Sequence, residues 1–228
     1  SKSAVSRLLG HLGLSPQRPI YKSYKQDPEK FNHYLTETFP AAVAQAKTMG
    51  AVIFFVDEAS VRSDAHRGLS WAKVGETPVV RNSGGRFNLN VISAVSPRGD
   101  MRFSFIDGKT DSKKFIAFLK KLYKDAAKPI LVITDNARYH HSKATQSFVE
   151  EQDGNIQMVF LPAYSPELNP DEQVWNHAKA RLSKRSIFTK EDMKVGLLSV
   201  LRSIQKQTTL IESFFRMKDT RYIVEAIE

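Results

Sequence analysis

The sequence predicts an α/β chain: three strands, a helix, a strand, a helix and a strand, with further helices after them. Three observations carry this. Two solid apolar runs, AVIFFVD (51–57) and PILVITD (129–135), suit strands buried on both faces, and each ends in an acid. FNLNVISAV (87–95) and MRFSFI (101–106) alternate apolar and polar residues around the turn SPRGD (96–100), as a hairpin does. Elsewhere apolar residues recur at helical spacing.

Taken in order, Ser3 caps a short helix carrying Val5, Leu8, Leu9 and Leu12 on one side, more than one helix buries alone. Residues 1–14 therefore read as the last piece of an upstream domain. Residues 15–50 read as a basic linker and a helix. GLSPQRPIYKSYKQDP (13–28) is rich in Pro and Lys, and Asp27-Pro28 opens a helix with Phe31, Tyr34 and Leu35. Pro40 is expected to break it, and a second set from Ala42 to Lys47 ends at Gly50. From residue 51 the pattern is that of one α/β domain reaching residue 228. Arg98-Gly99-Asp100 is the hairpin turn. Asp111 begins a helix with Phe115, Phe118, Leu119 and Leu122 on one face. Ser142 to Glu151 is a helix and IQMVFL (156–161) a fifth strand. Asn169-Pro170-Asp171-Glu172 opens a helix with Val174, Ala178 and Leu182 aligned. Thr189 caps another, with Met193, Leu197, Leu198, Leu201 and Ile204 inward.

The 228 residues carry a formal charge of +10 and contain no cysteine, which excludes disulfide scaffolds, thiolate zinc sites and thiol nucleophiles. Ala51 to Val56 is the longest apolar run, so no membrane span is expected; the chain reads as soluble and cytoplasmic. A pI near 9.7 favours a nucleic-acid partner. The charge is uneven: +4 over residues 1–50, +1 over 51–175 and +5 over 176–228. The balanced centre holds 15 carboxylates, which suits an enzyme that sets divalent ions against phosphate. Neither a P-loop nor a dinucleotide glycine pattern occurs. A glycosidase would also use paired acids, but fits poorly with the charge and with two Trp.

Asp57 and Asp135 stand at the C-terminal ends of the two apolar strands, where open α/β sheets bind ligands. If those strands are parallel neighbours, both acids face one crevice, and Glu172 starts a helix placed to cover it. Such a trio suits two oxygen-seeking cations and in-line attack on a phosphodiester. Each acid also has a plainer reading. A strand-end Asp is often a turn residue, and Glu172 stands in capping-box position relative to Asn169.

FFVDEASVRSD (54–64), VITDNARYHHS (132–142) and LPAYSPELNPDEQVW (161–175) resemble, in order, the three acidic motifs of the DDE transposases of the Tc-mariner superfamily, in its bacterial insertion-sequence branch. SAVSRLLGHLGLSPQRP is similar to the end of that family's helix-turn-helix region, which makes residues 1–14 its remnant in an N-terminally truncated chain. The resemblance implies an RNase H-like fold, a mixed five-stranded sheet flanked by helices. It implies Asp57, Asp135 and Glu172 as catalytic metal ligands, with two Mg2+ or Mn2+ ions per site, and leaves Asp171 as the rival for the third place. It also implies double-stranded DNA as partner, at terminal inverted repeats and at a target that is usually a TA dinucleotide. A homodimer and a nucleoid-associated location in a bacterial cytoplasm go with it. Another RNase H-like nuclease, or a non-catalytic transposase-derived DNA-binding protein, is the alternative.

Asn136 and His140 stand at the family's positions beside the second Asp and are the supporting residues; His141 is a weaker candidate. Glu58, next to Asp57 on a strand, points the other way and reads as a hydrogen-bonding support. The connection 62–86 contains four Arg, one Lys and Trp71, and in mariner relatives reaches the partner subunit; packing on the sheet edge is the alternative for Trp71. Arg62 and Arg67 in it, with Lys179, Arg181, Lys184 and Arg185 after Glu172, are the candidate phosphate contacts. Phe214, Phe215, Tyr222 and Ile223 form either a partner surface or a closing helix.

Overall fold

The computed structural model describes residues 2–15, 23–63, 73–76 and 85–228. Five strands form one mixed sheet: β1 (Val52–Arg62), β2 (Asn88–Val95), β3 (Met101–Ile106), β4 (Ile130–Thr134) and β5 (Ile156–Phe160), in the order β3-β2-β1-β4-β5. The β1–β2 and β2–β3 pairs are antiparallel, whereas the β1–β4 and β4–β5 pairs are parallel. β1 is longer than its apolar run. It pairs with β2 from Phe55 to Arg62, but its ladder with β4 stops at Phe55. The strands part there, and Asp57 lies in the opening.

Both faces of β1 are buried, which is why its sequence does not alternate. Ile53, Phe55, Ala59 and Val61 join the core under α6 (Asp171–Leu182), α7 (Lys190–Gln205), α8 (Thr208–Phe214) and α9 (Tyr222–Ile227). Val52, Phe54 and Val56 join the core under α4 (Ser112–Ala126) and α5 (Lys143–Glu150). The caps hold as the residue types require. The carboxylate of Asp111 accepts from Lys114 N–H, the hydroxyl of Ser142 from Thr145 N–H, and Thr189 with Asp192 closes a capping box. Leu198 is only half-buried, and Val200 takes the inward place beside Leu197 and Leu201.

Phe214, Phe215 and Ile223 are buried, and the Phe215 ring meets Phe55 edge-on at 5.7 Å. The C-terminal aromatics thus close the core. At the other end, α1 (Lys2–His11) keeps Val5, Leu8, Leu9 and Leu12 exposed. Among the described residues no helix is long and apolar enough to cross a membrane.

The break expected at Pro40 does not occur. α2 (Pro28–His33) continues through a π turn (Tyr34–Thr38) into α3 (Phe39–Met49), and Phe39 N–H donates to Tyr34 O. The wider turn makes room for the proline ring and needs no N–H from it. Packing holds that turn in place: Tyr34 and Phe39 are both buried and both pack against Tyr222.

Gly99 sits in the β2–β3 turn with φ +82°, and a Cβ there would lie 2.8 Å from Thr208 O. Both the backbone and the space demand glycine. Gly99→Ala is expected to destabilise by about 1–3 kcal/mol, read as a lower urea midpoint at unchanged m. An unchanged midpoint would refute that close approach.

Candidate active site

Where β1 leaves β4, Asp57 and Glu58 project to opposite faces of the sheet. Asp57 stands in register with Ser93 on β2, on the α6 side. The Ser93 hydroxyl donates to Asp171 Oδ2 at 2.7 Å, and Asp171 is 0% exposed. Asp171 therefore faces the sheet, and Glu172, the next residue on α6, faces the opening. Asn169 sets this rotation. Its Oδ1 accepts from Asp171 N–H at 3.1 Å and its amide donates to Val56 O at 3.3 Å, which ties the helix start to β1. Asn169 thus serves the helix N-terminus through Asp171, and the Glu172 carboxylate is left for the cavity.

That cavity has a volume of about 450 Å³ and is lined by Asp57, Asp135, Asn136, Leu161, Tyr164 and Glu172, among others. Asp57 from the middle of β1, Asp135 just after β4 and Glu172 from α6 thus line one cavity. Burial pushes the Asp57 carboxyl well above its ordinary value, and the charges of Glu172, Asp171, Glu58 and Asp135 add to this. Burial also raises Glu172, against the pull of Lys179. Asp135 behaves oppositely. Its partial burial would raise it, but hydrogen bonds from His140 and Ala137 N–H, with the nearby charges of His140 and His141, hold it below the usual range.

His140 is the hub of the other face. Its side chain is fully buried, with Nδ1 3.1 Å from Asp135 Oδ1 and 3.0 Å from Asp135 O, and Nε2 3.4 Å from Glu58 Oε1. Burial alone would lower its pKa; the bonds to Asp135 and Glu58 outweigh this and push it up to about 9. Glu58, pointing away from Asp57, thus reaches Asp135 through an imidazolium. Among the described residues, Glu58, Asp135 and His140 are the one group of three such side chains with ligand atoms within 4.8 Å of one another. Both ring nitrogens of His140 are turned to carboxylate or carbonyl oxygens, Nδ1 to Asp135 and Nε2 to Glu58. The set is an ion-pair relay.

Asn136 lines the cavity and braces its wall. Its amide donates to Leu161 O, and its Oδ1 lies 3.0 Å from His141 Nε2. The His141 ring packs on Phe160 at 4.0 Å.

The basic candidates divide. Lys179 and Arg62 line one small recess beside the end of β1, and Lys179 is near enough to Glu172 to act on its charge. Arg181 instead donates to Ser203 Oγ and Gln207 Oε1, and Arg185 to Ser199 Oγ, so both guanidiniums are turned towards α7 and the turn after it. Lys184 is exposed. Arg67 and Trp71 lie outside the described residues. Two participants escaped the sequence reading. The register with Asp57 was the signal for Ser93; for Tyr164 there was none beyond its place in the Pro-rich motif.

Residues 52–194 match the family described as DDE superfamily endonuclease, and residues 1–38 match the winged helix-turn-helix family. "Insertion element IS630 uncharacterized 39 kDa protein" of Shigella sonnei is 30% identical over 127 residues, covering 54% of this chain and 36% of that protein. The match thus spans about a third of that relative's length. Among solved structures, the Mos1 mariner paired end complex with Mn has a TM-score of 0.65 at 15% identity, covering 100% of this chain and 71% of that one. The catalytic domain of the Mos1 mariner transposase has a TM-score of 0.54 at 14% identity, covering 93% and 98%. The mixed sheet and its flanking helices are thus the RNase H-like fold of those transposases. With the family matched across the sheet and all three acidic segments, this chain belongs to the DDE superfamily endonucleases.

Proposed function

We propose that this chain is the nuclease and strand-transfer part of a cut-and-paste DNA transposase, with Asp57, Asp135 and Glu172 as its catalytic acids. One observation carries the proposal: in a DDE-family chain, those three carboxylates reach a single cavity from three separate elements. The donor set is all oxygen, and the burial and crowding of negative charge that together raise Asp57 are what a hard dication relieves. Asp57, Asp135 and Glu172 would hold two Mg2+ or Mn2+ ions, whose chemistry is to polarise a phosphodiester towards attack, by water at the element end and then, at a target phosphodiester whose own 3′-oxygen leaves, by the freed 3′-hydroxyl. The protein supplies position and charge. The His140 ring fixes the Asp135 carboxylate from behind, and its bond and charge help hold that carboxyl below the ordinary range. Asn169 turns Glu172 into the cavity, Asn136 braces the wall, and Lys179 with Arg62, in a separate recess beside the end of β1, offers phosphate contacts.

Double-stranded DNA is the proposed partner, at element ends and at target. Residues 1–14 would belong to the DNA-recognising region, 15–50 to the connection and 51–228 to the catalytic domain. The structurally similar Mos1 proteins were solved as paired-end and strand-transfer complexes, which supports a pair of subunits here. The nucleoid in a bacterial cytoplasm is the proposed place of action. The test is nicking of supercoiled plasmid. The wild type should nick in Mn2+ and not in EDTA, and Asp135→Ala and Glu172→Gln should each lose on the order of 10²–10³-fold while still binding plasmid. Full activity in either variant would remove that residue from the site.

A further inference from the structure

Tyr164 lines the cavity without holding a carboxylate, and Lys25 and Tyr24 lie beside it. Tyr24 is 92% exposed and Tyr164 is 54% exposed, and between them lies Lys25, its Nζ 5.8 Å from the first ring and 5.7 Å from the second. Tyr164 lines the same cavity as Asp57, Asp135 and Glu172. Its backbone has φ +60°, a left-handed conformation that is costly for any residue with a Cβ. It is braced there from outside the loop. The Gln26 amide reaches Tyr164 O at 3.4 Å, Ser165 Oγ at 3.0 Å and Glu167 Oε1 at 2.7 Å, and Pro162 and Pro166 restrict the flanking backbone. A strained, braced backbone thus presents an aromatic ring at the cavity mouth, next to a cation.

Cations alone suffice for a phosphate backbone. An exposed ring beside a cation suits a flat apolar ligand that carries a negative charge, and a nucleotide out of its stack is such a ligand. A phosphodiester that descends between Asp57, Asp135 and Glu172 draws its neighbouring nucleotide away from the duplex. We propose that Tyr164 is a stacking platform for the base next to the scissile phosphodiester, with Lys25 against the adjoining phosphate. This rests on the nuclease reading for what enters the cavity.

The test uses the full chain in EDTA, so that no strand is cut. One probe is a DNA duplex with a single-stranded extension bearing one 2-aminopurine; the other is the same duplex with blunt ends. Binding of the wild type should change the 2-aminopurine fluorescence. Tyr164→Asn, which tolerates the left-handed backbone, should weaken binding of the extended duplex about 5- to 150-fold and leave the blunt duplex unchanged. Tyr164→Phe should bind both as the wild type does. Wild-type affinity of Tyr164→Asn for the extension, or an equal loss on both probes, would overturn the platform. Failure of the wild type to nick plasmid would strike the nuclease reading alone, because these titrations need no cleavage.

Discussion

Replacing Asp57 with Asn is expected to abolish nicking and, in the same protein, to stabilise the metal-free form. Burial and four neighbouring acids raise the Asp57 carboxyl above its ordinary 3.8. A folded-state pKa above the unfolded one contributes stability below about pH 3.8, and that contribution is lost as pH rises through the folded value. At neutral pH the metal-free protein therefore carries the cost of crowded negative charge, which Asn removes while keeping the shape. The gain should be on the order of 0.5–2 kcal/mol, a few degrees in Tm for a chain of this size. Calorimetry in EDTA at pH 7 measures it, and repetition near pH 4 should shrink it. Mn2+ should raise the Tm of the wild type and not of Asp57→Asn. A gain that persists at low pH would have a cause other than the Asp57 charge.

His140 is expected to have a pH signature of the same sign, in the window between 6.5 and about 9, and a larger effect. Its pKa rises from 6.5 to about 9 on folding, because its fully buried ring is bonded to Asp135 and Glu58. That stabilisation is complete below pH 6.5 and is lost as pH rises through about 9, on the order of 3 kcal/mol in all. Wild-type stability in urea should fall across this window. His140→Ala should be about 3–5 kcal/mol less stable at pH 6, since it leaves Glu58 without its cation, and should lack the fall between pH 6.5 and 9. The same slope in both proteins would assign the titration elsewhere. His140→Ala should also nick poorly, because Asp135 loses the hydrogen bond that anchors its carboxylate.

The strands themselves and the acids that close their apolar runs were legible because they rest on local pattern; that β1 continues to Arg62 and leaves Asp57 mid-strand, where the ladder with β4 stops, was not. Apolar runs without alternation mark strands covered on both faces, and Asp57 and Asp135 end such runs. Helix starts at Asp111, Ser142 and Thr189 were legible for the same reason, since a cap is a contact across three residues. Pro40 misled because a proline ends a helix only if the turn before it keeps its ordinary width, and here Tyr34 and Phe39 are held by a partner nearly two hundred residues away, Tyr222.

Longer-range contacts settled the rest. Asp171 and Glu172 are adjacent acids on one helix, and local pattern cannot say which faces the cavity; Ser93 on β2 and Val56 on β1 decide it by holding Asp171 and Asn169. Likewise the alternation of β1 turns Glu58 away from Asp57, but its bond to Asp135 by way of His140 exists only once α5 and its preceding loop pack against the sheet. Side-chain identity sets which groups can be acids, caps or strand interiors. Which acid becomes a ligand and which a support depends on rotation and register, and those are properties of the packed sheet and helices together.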